Sequence, residues 1–112
     1  KTGQYEKANE YLERAVLLSS DPMLYYVMAK NEQCLGEYRQ AEKHLLHAID
    51  ILPERIYPYY LLMNLYTEPS YFQPAKLKMA IDSVLTKKPK VESSAIKEMK
   101  EKARSMLNNT SI

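Results

Sequence analysis

Apolar residues recur along this chain at the spacing of an amphipathic helix. Near the start, Ala8, Tyr11 or Leu12, Ala15 and Leu18 fall three or four positions apart, close to the 3.6 residues of one helical turn. The same period continues through most of the sequence. It predicts six helices, the first within residues 1–20 and the others near residues 23–35, 38–49, 56–66, 73–87 and 93–108.

Residues with known preferences for helix ends mark some of these boundaries. Asp21 and Pro22 precede the second helix as a capping residue and a first-turn proline, an order that is typical of helix starts. Gly36 follows that helix, and glycine readily adopts the left-handed conformation that ends helices. Gly3 takes the equivalent place earlier in the chain. We therefore expect both glycines to lie in turns, outside the helices.

The sequence also repeats itself at a longer interval. The segment Gly3–Ala8 matches Gly36–Ala41 at an offset of 33 residues, and Tyr25–Tyr26 matches Tyr59–Tyr60 at an offset of 34. Heptad spacing does not explain these matches. Because each interval holds two predicted helices, the repeating unit is a helix pair.

This unit resembles the tetratricopeptide repeat (TPR), a pair of antiparallel helices of about 34 residues. The positions of that repeat are filled in one complete unit by Ala29, Gly36, Tyr38, Ala41, Leu45, Ala48 and Pro53. The second helix of a preceding unit is matched by Gly3, Tyr5, Ala8, Leu12 and Ala15. The resemblance implies an all-α fold, a right-handed α-solenoid of about six helices in antiparallel pairs, with a C-terminal capping helix.

The resemblance places the whole chain, residues 1–112, in a single TPR-like domain of uneven regularity. The third unit departs from the pattern, because Thr67–Pro74 replaces the tight glycine turn. We expect a fragment of a larger protein, whose first helix lacks its partner and exposes an apolar face that is open to a homodimer. Ser93 or Ser94 is expected to cap the last helix. The parts are the B helix of a truncated repeat at 1–20, a full repeat at 21–55, a divergent repeat at 56–89, and the capping helix and tail at 90–112.

A binding surface is also implied by the resemblance, since the first helix of each pair lines the concave groove of such arrays. The inward positions are Met23, Tyr26, Lys30, Gln33, Tyr57, Tyr60 and Asn64, with Thr67 completing the pattern. Aromatic side chains offer a large contact area at low entropy cost, and amides bind an extended peptide backbone. The groove is therefore predicted to bind a peptide or helix of a protein partner. In the alternative interpretation, several of these tyrosines only pack between helices.

Three more specific chemistries lack residues that they need. Lys30 and Asn64 match only part of the set with which one branch of the family binds a peptide C-terminal carboxylate. His44 and His47 stand three apart, but no further ligands complete a metal site, so we expect two exposed helical histidines and no metal. Cys34 has no histidine partner for nucleophilic catalysis and is expected to pack. No catalytic residue and no cofactor is predicted.

Composition and charge narrow the classes of partner. Lysine and arginine total 16 against 14 for aspartate and glutamate, a net charge of +2, too small an excess to predict nucleic-acid binding. One cysteine excludes an internal disulfide, and no apolar run approaches the roughly 20 residues that span a bilayer. Six lysines between positions 87 and 102 form a basic segment. It indicates either a solvated helix face or a contact for anionic lipid headgroups.

A second resemblance covers roughly residues 21–107. The segments Tyr57–Tyr66 and Lys88–Lys100 are similar to the repeat tail that follows the membrane-embedded part of O-antigen ligase or polymerase-like proteins in Bacteroidetes. This resemblance implies a scaffolding appendage in cell-envelope glycan assembly, with catalysis and membrane contact in a missing parent segment. Two hypotheses thus stand, a non-catalytic protein-interaction module and this appendage, and the cell compartment stays open.

Overall fold

The computed structural model describes residues 2–18, 21–89 and 92–109. Over these residues the protein consists of six α-helices and one 3-10 turn, and no β-strand occurs among them. The predicted all-α fold is therefore confirmed. The helices fall into two compact units, Lys1–Pro53 and Glu54–Ile112.

The first unit contains three helices, with α2 in contact with both of the others. They are α1 (Thr2–Leu18), α2 (Pro22–Cys34) and α3 (Tyr38–Ile51). Near the start of α2, Tyr25 contacts His47, whereas near its end Glu32 contacts His44. Since the contacts run in opposite directions along the two helices, α2 and α3 form an antiparallel pair.

The ends of α2 follow from the residues that the sequence places there. The Asp21 carboxylate accepts a hydrogen bond from the Met23 backbone N–H at 3.0 Å, and Pro22 occupies the first turn, where its missing N–H has no role. Leu35 ends the helix, and Gly36 follows with φ at +80°. The chain reverses there because glycine adopts this left-handed conformation without strain.

Small buried residues bring the helices of the first unit close together. Ala29 of α2 and Ala41 and Ala48 of α3 are buried, and their size lets neighbouring backbones approach. Met28 and Leu45 fill the space between the helices and are fully buried. Burial stabilises the unit by about 2 kcal/mol for each such large side chain.

The second unit contains three helices and the irregular connection that the sequence predicted. Its elements are α4 (Tyr57–Tyr66), a 3-10 turn (Pro69–Tyr71), α5 (Pro74–Thr86) and α6 (Ser94–Asn109). In place of a glycine turn, the chain uses Pro69 to start the 3-10 turn. The Tyr71 ring then stacks on the ring of Tyr66 at a centroid distance of 6.5 Å, which fixes the turn against α4.

In the second unit α5 packs against both α4 and α6, whereas α4 and α6 contact each other over a small area. The side chains of α4 are buried around most of the helix, as expected for an element that is covered on several sides. α5 supplies a buried stripe at helical spacing, and α6 adds one fully buried residue. The buried apolar residues of these helices are Leu61, Leu62, Met63, Leu65, Tyr66, Leu77, Ala80, Ile81, Val84 and Ala103.

Helix α6 begins as the sequence predicted, with Ser93 as its cap. The Ser93 Oγ accepts a hydrogen bond from the Ile96 backbone N–H at 3.2 Å. Along the helix, Ile96, Met99 and Met106 are half-buried on one face. No helix in the described ranges is long and apolar enough to cross a membrane.

Two expectations for α1 are wrong. Gly3 lies inside the first turn of α1, where its φ is not positive, and does not form a turn before the helix. Ala8, predicted within the buried stripe, is exposed, and the buried position beside it belongs to Asn9. Asn9 faces α2 because its carboxamide makes two hydrogen bonds there. Its Nδ2 donates to the Met28 carbonyl oxygen at 3.3 Å, and its Oδ1 accepts from the Asn31 Nδ2 at 2.9 Å. Ala8 and Tyr11, the latter 75% exposed, lie on the side away from this contact.

The two glycines provide a matched test of the turn. An added Cβ meets no atom within 4 Å at either site, so only backbone conformation differs. We expect Gly36→Ala to lower the free energy of unfolding by about 1 kcal/mol, because left-handed backbone disfavours a side chain. Gly3→Ala should raise it by roughly 0.5 kcal/mol, since alanine favours helix. Urea unfolding followed by circular dichroism measures both, and equal shifts would contradict this assignment of the two glycines.

Candidate functional site

The predicted site residues of α2 divide between the surface and the interior. Met23 is 54% exposed and Lys30 is exposed, whereas Gln33 is half-buried and Tyr26 is only 5% exposed. Tyr26 therefore offers little surface to a partner in this conformation. Val27, one turn after Met23, is exposed instead. The repeat pattern missed it, although its spacing of four from Met23 places it on the same helix face.

On α4, the predicted site residues share one face of the helix. Tyr57, Tyr60 and Asn64 are spaced by three and four residues, and all three are half-buried. The Tyr57 and Tyr60 rings are nearly parallel, with centroids 6.4 Å apart and planes inclined by 25°. We call these three residues the α4 tyrosine face. Thr67, the last residue of the predicted pattern, is exposed and bonds the Asn64 carbonyl through its hydroxyl at 2.6 Å.

A lysine of α6 joins the α4 tyrosine face. The Lys102 Nζ lies 5.5 Å from the centroid of the Tyr60 ring, within the range of a cation–π contact. The repeat pattern gave no reason to choose this lysine, because the last part of the chain does not follow the pattern. Lys87, at the end of α5, makes a similar contact at 5.0 Å with Tyr59. The tyrosines of α4 thus lie in a positive electrostatic environment.

Asn64 contributes a polar group that is not satisfied within the described part of the chain. Its Oδ1 atom is buried, and no hydrogen-bond donor of the described residues reaches it. A buried acceptor without a donor costs about 1–3 kcal/mol. Such groups are rare in folded proteins, and those that occur call for an explanation such as a bound donor.

The two histidines belong to a polar cluster between α2 and α3. His44 is not exposed as predicted: its side chain is 21% exposed, and its Nδ1 lies 2.7 Å from the Glu32 carboxylate, which is 5% exposed. The Tyr25 ring lies against both His44 and His47, at centroid distances of 5.9 and 4.7 Å. His47 is exposed as expected. In the ranges that the structure covers, no three His, Cys, Asp or Glu side chains are arranged to hold a metal ion.

Cys34 differs from the prediction that it packs, because it is exposed at the end of α2. It interacts with Tyr5 of α1. A hydrogen bond with Cys34, together with the electrostatic effect of the same thiol and slight desolvation, raises the pKa of the Tyr5 phenol above its ordinary value. The thiol lies at the surface because α2 ends there, one residue before the Leu35 cap.

Comparison with known proteins adds no assignment to this geometry. No protein-family model matches the chain, and a search of curated proteins finds no significant match. The candidate site is therefore judged by its own contacts. Of its predicted members, the structure brings Tyr57, Tyr60 and Asn64 together on α4.

The Glu32–His44 contact predicts a difference between the two histidines. In His44→Ala, the buried carboxylate of Glu32 loses its partner, and we expect the free energy of unfolding to fall by about 2–3 kcal/mol. In His47→Ala, only the ring contact with Tyr25 is lost, and the expected fall is about 0.5–1 kcal/mol. Urea unfolding of the two variants at neutral pH measures the difference. Similar losses in both would show that the carboxylate does not depend on His44.

Proposed function

We propose that this chain is a non-catalytic interaction module, which binds a peptide or helix of a partner protein on the α4 tyrosine face. The pair of stacked, half-buried tyrosines is the observation that carries the proposal. Tyrosine is enriched where proteins bind one another, because its ring supplies apolar contact area and its hydroxyl a hydrogen bond. Tyr57 and Tyr60 lie about one turn apart on one helix, and since both are half-buried, each ring keeps part of its surface open to solvent.

The Asn64 carboxamide supports a peptide as the ligand. A peptide backbone carries an N–H donor at each residue other than proline, and the Asn64 Oδ1 lacks a donor. Because Asn64 as a whole is half-buried, we expect a rotation of its carboxamide to turn this oxygen outward. In that position the oxygen can exchange a water hydrogen bond for one from a backbone N–H of the ligand, which contributes modestly to affinity and selects a donor group.

The charge of the second unit indicates the character of the partner. Residues 54–112 carry ten lysines and arginines against six aspartates and glutamates, a net charge of +4, which leaves −2 for residues 1–53. Lys102 places one of these positive charges beside Tyr60. An acidic peptide would therefore be attracted to this unit at low ionic strength more than a basic one.

The resemblance to the tetratricopeptide repeat supports the same proposal. Repeats of that family resemble the antiparallel pair α2–α3, and the predicted inward positions include all three residues of the α4 tyrosine face. A groove that α2 and α4 line together stays a prediction. So does the second hypothesis, an appendage of an envelope glycan-assembly enzyme, because no contact in the described residues bears on it.

Peptide selection tests the proposal without a known partner. A displayed library of random 12-residue peptides is selected on the full chain, and the enriched peptides are measured by fluorescence polarisation. We expect Tyr57→Ala combined with Tyr60→Ala to weaken these peptides at least tenfold, about 1.4 kcal/mol, because both stacked rings are lost. Far-UV circular dichroism should show unchanged helicity.

Tyr11→Ala is the matched control for this experiment. Tyr11 is also a helical tyrosine but is 75% exposed on α1, away from the α4 tyrosine face. Peptide affinity should not change in this variant. Equal weakening in Tyr11→Ala, or loss of helicity together with binding in the double variant, would refute a binding role for the α4 tyrosine face.

A further inference from the structure

Helix α6 is held in the second unit by few apolar contacts. Ala103 is the one α6 residue that is fully buried in the described range, and Ile96, Met99, Met106 and Leu107 are half-buried. α5, by comparison, buries Leu77, Ile81 and Val84 completely. Because apolar burial is the main source of packing free energy, α6 depends on other interactions more than α5 does.

Lys100 supplies three such interactions. Its Nζ donates hydrogen bonds to the carbonyl oxygens of Val84 at 2.8 Å, Leu85 at 3.3 Å and Lys87 at 2.9 Å. An ammonium group has three N–H donors, so all of them are used. The last carbonyls of a helix have no partner within the helix, and here a side chain from α6 caps the end of α5.

The positive charge adds to this cap. The C-terminal end of a helix carries a partial negative charge, which a cation near the last turn stabilises. Hydrogen bonds from a charged donor are also stronger than neutral ones. Since Lys100 is half-buried, solvent screens the interaction less than at the open surface. The Lys100 ammonium group therefore adds to the attachment that the buried and half-buried apolar residues of α6 provide.

A second lysine of α6 contacts the α4 tyrosine face. Lys102, two residues after Lys100, points to another side of α6, and its Nζ lies over the Tyr60 ring. α6 thus contacts α5 through one lysine and Tyr60 through the other. A partner side chain that stacks on this face of the Tyr60 ring would have to displace Lys102.

We propose that α6 is a releasable cover of the Tyr60 ring in the α4 tyrosine face, held closed by the Lys100 cap on α5. The proposal rests on the proposed function, because it concerns the regulation of the same surface. With Lys100 on the α5 carbonyls, α6 keeps Lys102 over Tyr60. When the cap opens, α6 leaves, Lys102 moves away from Tyr60, and this ring becomes more accessible to a peptide.

Hydrogen exchange measured by mass spectrometry tests the cap on the full chain. Lys100→Met keeps an unbranched apolar stem and removes the charge and all three donors. We expect amide exchange in residues 94–109 to become at least tenfold faster, with α4 and α5 little changed. Lys97→Met, which removes an exposed lysine from the same helix, should leave exchange unaltered. Unchanged exchange in Lys100→Met, or equal acceleration in α4, α5 and α6, would overturn the proposal.

A measurement on the wild-type chain keeps the proposal testable if Lys100→Met does not fold. In low concentrations of urea, α6 should exchange through an opening that leaves α4 and α5 protected. Exchange of all three helices through one common opening would mean that α6 is not released separately. The proposal would then be wrong.

Nitration with tetranitromethane tests whether α6 covers the Tyr60 ring. Peptide mapping gives the rate at each ring, and Tyr11 on α1 serves as an internal reference. We expect Tyr60 to react several-fold faster relative to Tyr11 in Lys100→Met than in the wild type. An unchanged ratio despite a mobile α6 would refute the covering role. Neither measurement uses a ligand, so a failed peptide selection would count against the proposed function and leave the test of α6 intact.

Discussion

Four of the six described helices are too short to be stable by themselves in water, and this constraint determines much of the rest of the structure. These four, α2 to α5, span 10 to 14 residues, and isolated helices below about 12–15 residues are marginal in water. Each of these helices therefore depends on the burial of its apolar face against a neighbour. In the first unit the alanines of α2 and α3 permit that contact, and in the second unit α4 and α5 bury apolar side chains against each other. The helices are thus stable only when they pack against one another.

Within these contacts, a few buried polar groups select one alignment of the helices. Asn9 forms hydrogen bonds with a backbone carbonyl and a side-chain carboxamide of α2. The Glu32 carboxylate contacts the His44 ring nitrogen between α2 and α3. Apolar side chains tolerate a shift along the helix axis better than these groups do, because a buried polar atom without its partner costs about 1–3 kcal/mol. In the second unit Lys100 has this role, since its three carbonyl acceptors occur together only at the end of α5. Polar contacts therefore specify the register, whereas apolar contacts provide most of the stability.

Local signals predicted the helices well, and contacts between helices were not predictable in the same way. Asp21, Gly36 and Ser93 act on backbone groups within three residues, so the sequence shows both partners of each interaction. Tyr26 was placed in a groove from repeat spacing, yet it is buried, because position in a repeat gives the helix face and not the depth of burial. Lys102 and its ring partner Tyr60 are 42 positions apart, and nothing in either local segment relates them. The part of the candidate site on α4 was predictable from the repeat, and its α6 part required the folded chain.

Magnitudes decide which lysine governs access to the α4 tyrosine face. An exposed cation–π contact is worth about 0.5–1 kcal/mol, so Lys102 alone reduces the affinity of a competing ligand less than tenfold. A cover has a larger effect only when the whole helix must move, because the apparent affinity then falls by the fraction of molecules that are open. That fraction is set where α6 is attached, at the α5 carbonyls, and not where it meets the ring. Control of the Tyr60 ring by α6 is therefore a property of Lys100, which does not touch it.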